Sequence, residues 1–274
     1  MAEAFDRSRF VARLGTRHVG RSLLVRESTA STNDDAWAAL AELGDGAAVL
    51  ALVQTCGRGR AGRSWQQVPG KGLALSVALR LGCDVRQAGV IPLAAGLAAC
   101  QAAHALGVPH ARLKWPNDVR VGDRKLAGAL CEVRRVPAGA GGATSDAIVI
   151  GVGMNVAHAR DDFPPELRDA ATSLALEGSD GARVEDAAAE FLTRLEPLWD
   201  EVQEGDSAAV LAAWSALAPH WGERLRVRTP AGDVEGIAQR LDADGGLVLR
   251  TAGGQETTVI AGDVATAAAG WDAA

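Results

Sequence analysis

The chain lacks tyrosine, and aromatic residues make up only 4% of its 274 residues, with seven Trp among them. Cysteine is also scarce. Cys56, Cys83, Cys100 and Cys131 form no CxxC pair and the five His are scattered, which argues against a structural zinc site. The N-terminal MAEAFDRSRF contains acidic residues and no apolar core, so it is not a signal peptide. We therefore expect a cytoplasmic protein with four reduced thiols.

Long hydrophobic runs and an excess of positive charge are absent too. The longest apolar stretch, Ile91 to Leu106, is interrupted by Gln101 and His104 and is too short to cross a bilayer. Lys and Arg number 28 against 34 Asp and Glu, giving a net charge of −6. This excludes a membrane span and argues against non-specific nucleic-acid binding. The hydrophobic content of 48% is globular and excludes global disorder.

The length predicts one large domain and a small one. Helical and strand patterns mix before Pro219, including a helix from about Ser31 to Leu43 and a buried strand from Ala47 to Gln54. After Pro219, short strands separated by Gly/Asp turns are typical of a small β-barrel. We predict an α+β protein with a domain at 1–219 and a barrel at 220–274. The Gly-rich connection 134–146 is expected to be a disordered hairpin tip.

The strongest local feature is the glycine–arginine loop, Gly57 to Arg63, with sequence GRGRAGR. Its glycines permit close backbone approach and its arginines suit a phosphate-bearing ligand, although a solvated basic loop is an equal alternative. The loop also fits the dinucleotide fingerprint GxGxxG. That fingerprint must open a helix, whereas Ser64 to Gly72 contains Pro69 and two glycines. We reject the dinucleotide (NAD) interpretation.

Three further segments carry chemistry. Lys114-Trp115-Pro116-Asn117-Asp118 places a cation, an amide and a carboxylate beside a rigid turn. Lys125 enters an apolar strand, which is costly unless the charge is paired or its tip reaches water. The run Gly151 to Val156 ends a buried strand with small residues. Taken singly, Asp118 would be a turn residue and Lys125 a strand-end lysine.

Together these segments resemble one family, the biotin–protein ligases, from about residue 20 to the C-terminus. The matching pieces occur in the family's order: Ser31-Thr32-Asn33, Gln54 with Gly57 to Trp65, Lys114 to Asp118, Lys125 to Gly128, Gly151 to Val156, and Ala171 to Leu174. The resemblance implies a mixed β-sheet with packed helices, of the class II synthetase type, plus a terminal SH3-like barrel. Cys56 and Met154 depart from the usual residues without affecting the central chemistry.

The resemblance also implies a two-step reaction. Biotin and Mg-ATP give biotinyl-5′-adenylate, and a lysine of a biotin carboxyl carrier domain then attacks it. Catalytic roles fall on Lys125, Arg58, Arg60 and Asp118. Biotin would be bound by Ser31, Thr32, Asn33, Gln54, Arg58, Gly59, Arg60, Lys125, Gly128 and Gly151. ATP and the adenylate would be bound by Gly57, Arg58, Arg60, Arg63, Trp65, Lys114, Asn117, Lys125 and Asn155.

Several alternatives stay open at this stage. Asp118 would either hold Mg²⁺ or orient the acceptor amine, and Trp65 and Trp115 would either stack on ligand or pack in the core. A lipoate ligase uses the same kind of acyl-adenylate, and a biotin-responsive regulator would need a DNA-binding element. About thirty residues precede Ser31, so we expect the form without an N-terminal DNA-binding domain. The sequence fixes neither the acceptor nor the choice between monomer and homodimer.

Overall fold

The computed structural model describes residues 5–82, 89–137 and 144–266. The helices are α1 (Arg7–Arg13), α2 (Thr32–Leu43), α3 (Ile91–Ala105), α4 (Val184–Gln203) and α5 (Ser207–Ala216). The strands are β1 (Leu23–Thr29), β2 (Ala48–Gln54), β3 (Gly72–Arg80), β4 (Arg112–Lys114), β5 (Asp118–Val121), β6 (Arg124–Pro137), β7 (Thr144–Asn155), β8 (Arg224–Thr229), β9 (Gly232–Leu241), β10 (Leu247–Arg250), β11 (Glu256–Val259) and β12 (Asp263–Thr266).

The larger sheet has seven strands in the order β1-β2-β3-β7-β6-β5-β4. β1 and β2 are parallel and the other neighbours are antiparallel. Successive side chains of one strand enter different cores, as strand alternation requires. Val49 packs with Leu40 of α2, whereas Leu50 belongs to the core formed with α3 and α4. The predicted mixed sheet with helices packed on it is confirmed.

The smaller sheet has five antiparallel strands in the order β11-β10-β9-β8-β12. Among the described residues β11 and β12 are its edges, so the predicted barrel appears as an antiparallel sheet without a closing strand pair. Its buried Leu225 and Leu247 belong to the same core cluster as α3. Trp115 Nε1 donates to Gly245 O at 3.1 Å and links the two sheets. The proposed division at residue 220 stays a prediction.

The β6–β7 strand pair is longer than the sequence predicts. β6 and β7 stay paired as far as Pro137 and Thr144, so both flanks of the 134–146 connection are regular strand. Residues 138–143 and Cys83 lie outside the described residues. α4 runs through Pro197 without ending. Within the described ranges, no helix is long and apolar enough to cross a membrane.

Candidate active site

A cavity of about 410 Å³ opens beside the larger sheet. The start of α2, the ends of β2 and β7, the glycine–arginine loop and strands β4 to β6 all contribute to its wall. Every predicted site residue except Gly57 lines it: Ser31, Thr32, Asn33, Gln54, Arg58, Gly59, Arg60, Arg63, Trp65, Lys114, Asn117, Asp118, Lys125, Gly128, Gly151 and Asn155. The fold thus brings together segments spread over more than 120 residues of chain.

One wall of the cavity is a buried polar network at the start of α2. The Thr32 backbone N–H donates to Gln54 Oε1 at 2.8 Å. The Ser76 hydroxyl, fully buried on β3, lies 2.7 Å from both Thr32 Oγ1 and Asn33 Oδ1. Ser31 caps α2 without a side-chain capping bond, which leaves its hydroxyl available to a ligand. The wall therefore offers donors and acceptors at fixed positions to a polar ring system.

The Asn33 side chain occupies space that a side chain at residue 151 would otherwise fill. Its Nδ2 donates to Glu132 Oε2 at 2.7 Å. A Cβ built on Gly151 would lie 2.1 Å from Asn33 Oδ1, and one on Gly153 would lie 2.3 Å from the Trp65 ring. Glycine at these two positions on β7 lets the Asn33 and Trp65 side chains lie against the sheet. The role of both glycines is therefore to give the cavity its shape.

The glycine–arginine loop is closed at its base by Gly57. The Trp65 N–H donates to Gly57 O at 2.8 Å, and a Cβ on Gly57 would lie 2.4 Å from Trp65 O. This explains why Gly57 is missing from the lining: it closes the loop and does not face the ligand. At the tip, Ala61 adopts a φ of 53°, a conformation normally left to glycine.

The three loop arginines have different partners. Arg58 forms a bidentate pair with Asp34 at 2.6 and 2.9 Å, and this hydrogen bond lowers the pKa of Asp34. Arg60 donates to Asn117 Oδ1 at 3.1 Å and to Gly262 O at 3.4 Å. Arg63 pairs with Asp263. Arg60 and Arg63 therefore join the loop to the start of β12 in the smaller sheet.

Lys125 stands at the centre of the cavity. Its Nζ donates to Asp118 Oδ1 at 2.6 Å and lies 5.9 Å from the centre of the Trp65 ring. A Cβ on Gly128 would meet Lys125 Nζ at 2.9 Å, so glycine leaves room for the ammonium. The charge of this strand lysine is therefore paired with Asp118, and the Lys125 side chain remains one-third exposed.

The remaining predicted residues divide between ligand wall and scaffold. Asn155 Nδ2 donates to Thr172 O at 2.9 Å, and Asn117 Nδ2 donates to Ala129 O, so each amide is fixed by backbone. Trp115 is buried and bonded to Gly245 O; it packs in the core, one of the two alternatives left open. Trp65 lines the cavity.

An apolar part of the cavity lining was missed by the sequence analysis. Phe163, Pro164 and Leu167 line it, and the ring of His158 stacks on Phe163 at 5.1 Å. Burial lowers the pKa of His158 to about 4, so the imidazole is neutral at pH 7. A planar aromatic ligand group fits such a wall.

Metal binding by the protein alone is not supported. The described residues contain no group of three or more His, Cys, Asp or Glu side chains that would hold a metal ion. Asp118 already accepts from Lys125 with one carboxylate oxygen. Its second oxygen is compatible with a Mg²⁺ ion held mainly by substrate phosphates, which is the usual way Mg²⁺ enters nucleotide sites.

The cavity thus combines a rigid polar wall, an apolar end and a cationic centre. These features define a class: an enzyme that binds a small organic acid beside a phosphate-bearing nucleotide.

Comparison with known proteins agrees with this class. Residues 25–155 match the biotin/lipoate A/B protein ligase family, and residues 220–265 match the biotin protein ligase C terminal domain. The biotin--[acetyl-CoA-carboxylase] ligase of Mycobacterium tuberculosis is 38% identical over 252 residues, covering 89% of this chain and 88% of the relative. The bifunctional ligase/repressor BirA of Bacillus spizizenii is 30% identical over 244 residues, covering 87% and 72%.

A solved structure gives the same result. The biotin protein ligase of Aquifex aeolicus in complex with biotin and ATP superposes with a TM-score of 0.74 at 25% identity, covering 89% of this chain and 98% of that one. The chain belongs to the biotin protein ligase family.

Proposed function

We propose that the protein activates biotin with ATP and transfers it to a lysine of a biotin carboxyl carrier domain. The observation that carries this proposal is that Lys125 lines the same cavity as the polar wall around Thr32 and Asn33 and the glycine–arginine loop. The Aquifex relative was solved with both biotin and ATP. We therefore assign Lys125 to the point where a biotin carboxylate and an α-phosphate would meet.

The first step joins two anions and needs cations nearby. A biotin carboxylate oxygen attacks the α-phosphorus, the bond between that phosphorus and the β-bridging oxygen breaks, and pyrophosphate leaves with the electron pair. Lys125 neutralises the carboxylate and the α-phosphate oxygens. Arg60 and Arg58 line the cavity beside it, and their loop shields the anhydride from water.

The second step transfers the acyl group. The neutral Nζ of the acceptor lysine attacks the biotinyl carbonyl carbon and an amide bond forms. The bond between that carbon and the phosphate oxygen breaks, AMP leaves with the electron pair, and the amine releases one proton. Asp118, which points at Lys125, is the carboxylate we assign to orient the incoming amine. Mg²⁺ would enter on the ATP phosphates and supply charge neutralisation there.

The ring systems of the substrates fit the two ends of the cavity. We assign the biotin ureido ring to Ser31, Thr32 and Asn33, where fixed donors and acceptors lie. We assign adenine to the apolar end at Phe163 and Leu167, with Trp65 beside it. The acceptor is proposed to be a carboxylase carrier domain met in the cytoplasm.

The test is transfer of labelled biotin to a carrier domain with and without ATP. We expect labelling only with ATP, and Lys125→Ala to slow adenylate formation by about 100- to 1,000-fold while the fold is kept. Arg240→Ala is the control for removing a paired cation, because Arg240 pairs with Glu256 on the smaller sheet and neither residue is part of the cavity lining. Adenylate formation at the wild-type rate in Lys125→Ala would show that Lys125 is a strand-end lysine without a role in the first step.

Two other functions are separable by experiment. A lipoate ligase would accept lipoate in the same assay, whereas the match of residues 220–265 to a biotin ligase domain favours biotin. The relative from Bacillus spizizenii is named a ligase/repressor. The net charge of −6 predicts no binding of operator-like duplex DNA. A biotin-dependent, sequence-specific gel shift with this chain would overturn that prediction.

A further inference from the structure

The cations around the cavity differ in whether an acidic side chain neutralises them. Six Lys and Arg side chains line it among the described residues: Arg58, Arg60, Arg63, Lys114, Arg120 and Lys125. Three of them are ion-paired, to Asp34, Asp263 and Asp118. Arg60 donates to neutral oxygens only. In the part of the chain that the structure describes, Lys114 and Arg120 have no carboxylate partner.

Lys114 and Arg120 stand on one face of the sheet. Lys114 is opposite Asp118 in the β4–β5 register, and Arg120 is two residues further along β5. Arg120 is also opposite Lys125 in the β5–β6 register. Because side chains alternate along a strand, Lys114, Asp118 and Arg120 share one face, and together with Lys125 they line the cavity. Arg112 has the same register position as Arg120, but its guanidinium donates to Pro109 O and Ala111 O and is not part of the lining. Among the four lining residues Asp118 is the single carboxylate, so two cations are in excess.

Arg120 has in addition a buried polar atom without a partner. Its Nε is inaccessible to solvent and makes no hydrogen bond. Leaving a charged donor group without an acceptor is costly, so the group is expected to find one in a bound anion. Burial and the nearby Arg120 lower the pKa of Lys114, although Asp118 and Asp263 act in the opposite direction.

We infer that Arg120, with Lys114, binds the pyrophosphate part of ATP and the pyrophosphate that leaves. This inference rests on the proposed function. The α-phosphate lies at Lys125, so the next phosphates along the chain meet the next cations along the sheet face. When the α-phosphorus bond breaks, the departing oxygen takes up negative charge. A guanidinium close to that oxygen stabilises it and accelerates the first step only.

The experiment compares the two half-reactions in four variants. Arg120→Ala and Arg120→Gln both remove the charge, and the second keeps much of the side-chain length. Arg120→Lys keeps the charge. Arg112→Ala is the matched control, because Arg112 is opposite Arg120 on β4 but is not part of the cavity lining. Thermal unfolding of each variant reports whether it folds.

Inorganic pyrophosphate is the probe for the site. We expect Arg120→Ala and Arg120→Gln to raise the inhibition constant for pyrophosphate and the KM for ATP by about 10-fold or more, the effect of one charge-assisted hydrogen bond. Arg120→Lys should lose less, and Arg112→Ala should match the wild type. Single-turnover transfer from supplied biotinyl-5′-adenylate, which contains no pyrophosphate, should keep its wild-type rate in all four.

Two results would overturn the inference. One is an unchanged inhibition constant for pyrophosphate in a folded Arg120→Gln protein. The other is a loss of the same size in transfer from supplied adenylate, which would place Arg120 at the adenylate or the acceptor. Failure of the proposed function has a different signature. The wild type would then release no pyrophosphate from ATP on addition of biotin, while calorimetry would still show whether pyrophosphate binding depends on Arg120.

Discussion

At the scale of single residues, the cavity depends as much on side chains that are absent as on those present. Asn33 and Trp65 reach their positions because Gly151 and Gly153 leave no Cβ in their path. Lys125 likewise occupies the space above Gly128. Small residues at the end of β7 are thus a requirement of the ligand wall, which a sequence shows only as a tight-packing signal.

Gly151→Ala tests this point. The new methyl group would lie 2.1 Å from Asn33 Oδ1, so Asn33 must move and lose its contacts with Ser76 and Glu132. We expect biotin binding to weaken by about 10-fold or more with less effect on the KM for ATP. Gly181→Ala is the control, since a Cβ there meets nothing within 4 Å. Equal calorimetric biotin affinity in both variants would contradict the assignment of Asn33 to the biotin wall.

Most residues of the site were predictable because they occur in short contiguous segments such as Ser31 to Asn33 or Lys114 to Asp118. Ser76, Glu132 and Arg120 were missed because each stands alone inside a strand. The signal was available, since a serine in the apolar run LALSVALR or an arginine between Val119 and Val121 is costly there without a partner. Which partner it has depends on strand register, and register is not written in local sequence.

At the scale of elements, the strands and helices were largely predictable from periodicity and caps, and their connections were not. α2 begins after Ser31, a residue type favoured at helix starts, and is followed by Gly44, whose φ of 89° favours glycine. The glycine–arginine loop is different, because its partners Asn117, Gly262 and Asp263 come from other parts of the chain. Its anchoring to the smaller sheet could not be read from the GRGRAGR sequence.

Arg60→Gly is expected to release this loop. The variant loses the bonds to Asn117 Oδ1 and Gly262 O while Lys125 stays in place. Adenylate should still form, but its retention should weaken by about 10- to 100-fold, corresponding to one charge-assisted hydrogen bond. Released adenylate would acylate lysines of a bystander protein, which labelled biotin detects.

Arg135→Gly serves as the control for Arg60→Gly, because the Arg135 side chain is 75% exposed and is not part of the cavity lining. Bystander labelling at the wild-type level in Arg60→Gly, with normal adenylate formation, would show that Arg60 does not keep the loop closed.

At the scale of the whole molecule, segments far apart in sequence are joined in one structure. The two sheets share a core through Leu225, Leu247 and α3. The segment before β1 is fixed to α4 by Glu196, whose buried carboxylate accepts the backbone N–H groups of Arg17, His18 and Val19 at 2.7 to 2.9 Å. We therefore expect one cooperative unfolding transition in which Glu196 contributes to global stability.

The pH dependence of stability tests the role of Glu196. Burial alone would raise the pKa of this carboxyl, but the three N–H donors and His18 outweigh it, and the pKa falls below its ordinary 4.5. A group with a lowered pKa stabilises the fold above its unfolded pKa and loses this contribution as the pH falls through the folded value. Glu196→Gln should therefore cost about 1–3 kcal/mol at pH 7. The difference from the wild type should shrink below about pH 4. Glu190→Gln, which removes only a surface pair with Arg194, should change stability by less than about 1 kcal/mol at either pH. Urea unfolding at pH 7 and about pH 3.5 measures the free energy of unfolding of both variants and the wild type. If Glu196→Gln differs from the wild type by the same amount at the two pH values, the Glu196 charge does not hold the N-terminal segment.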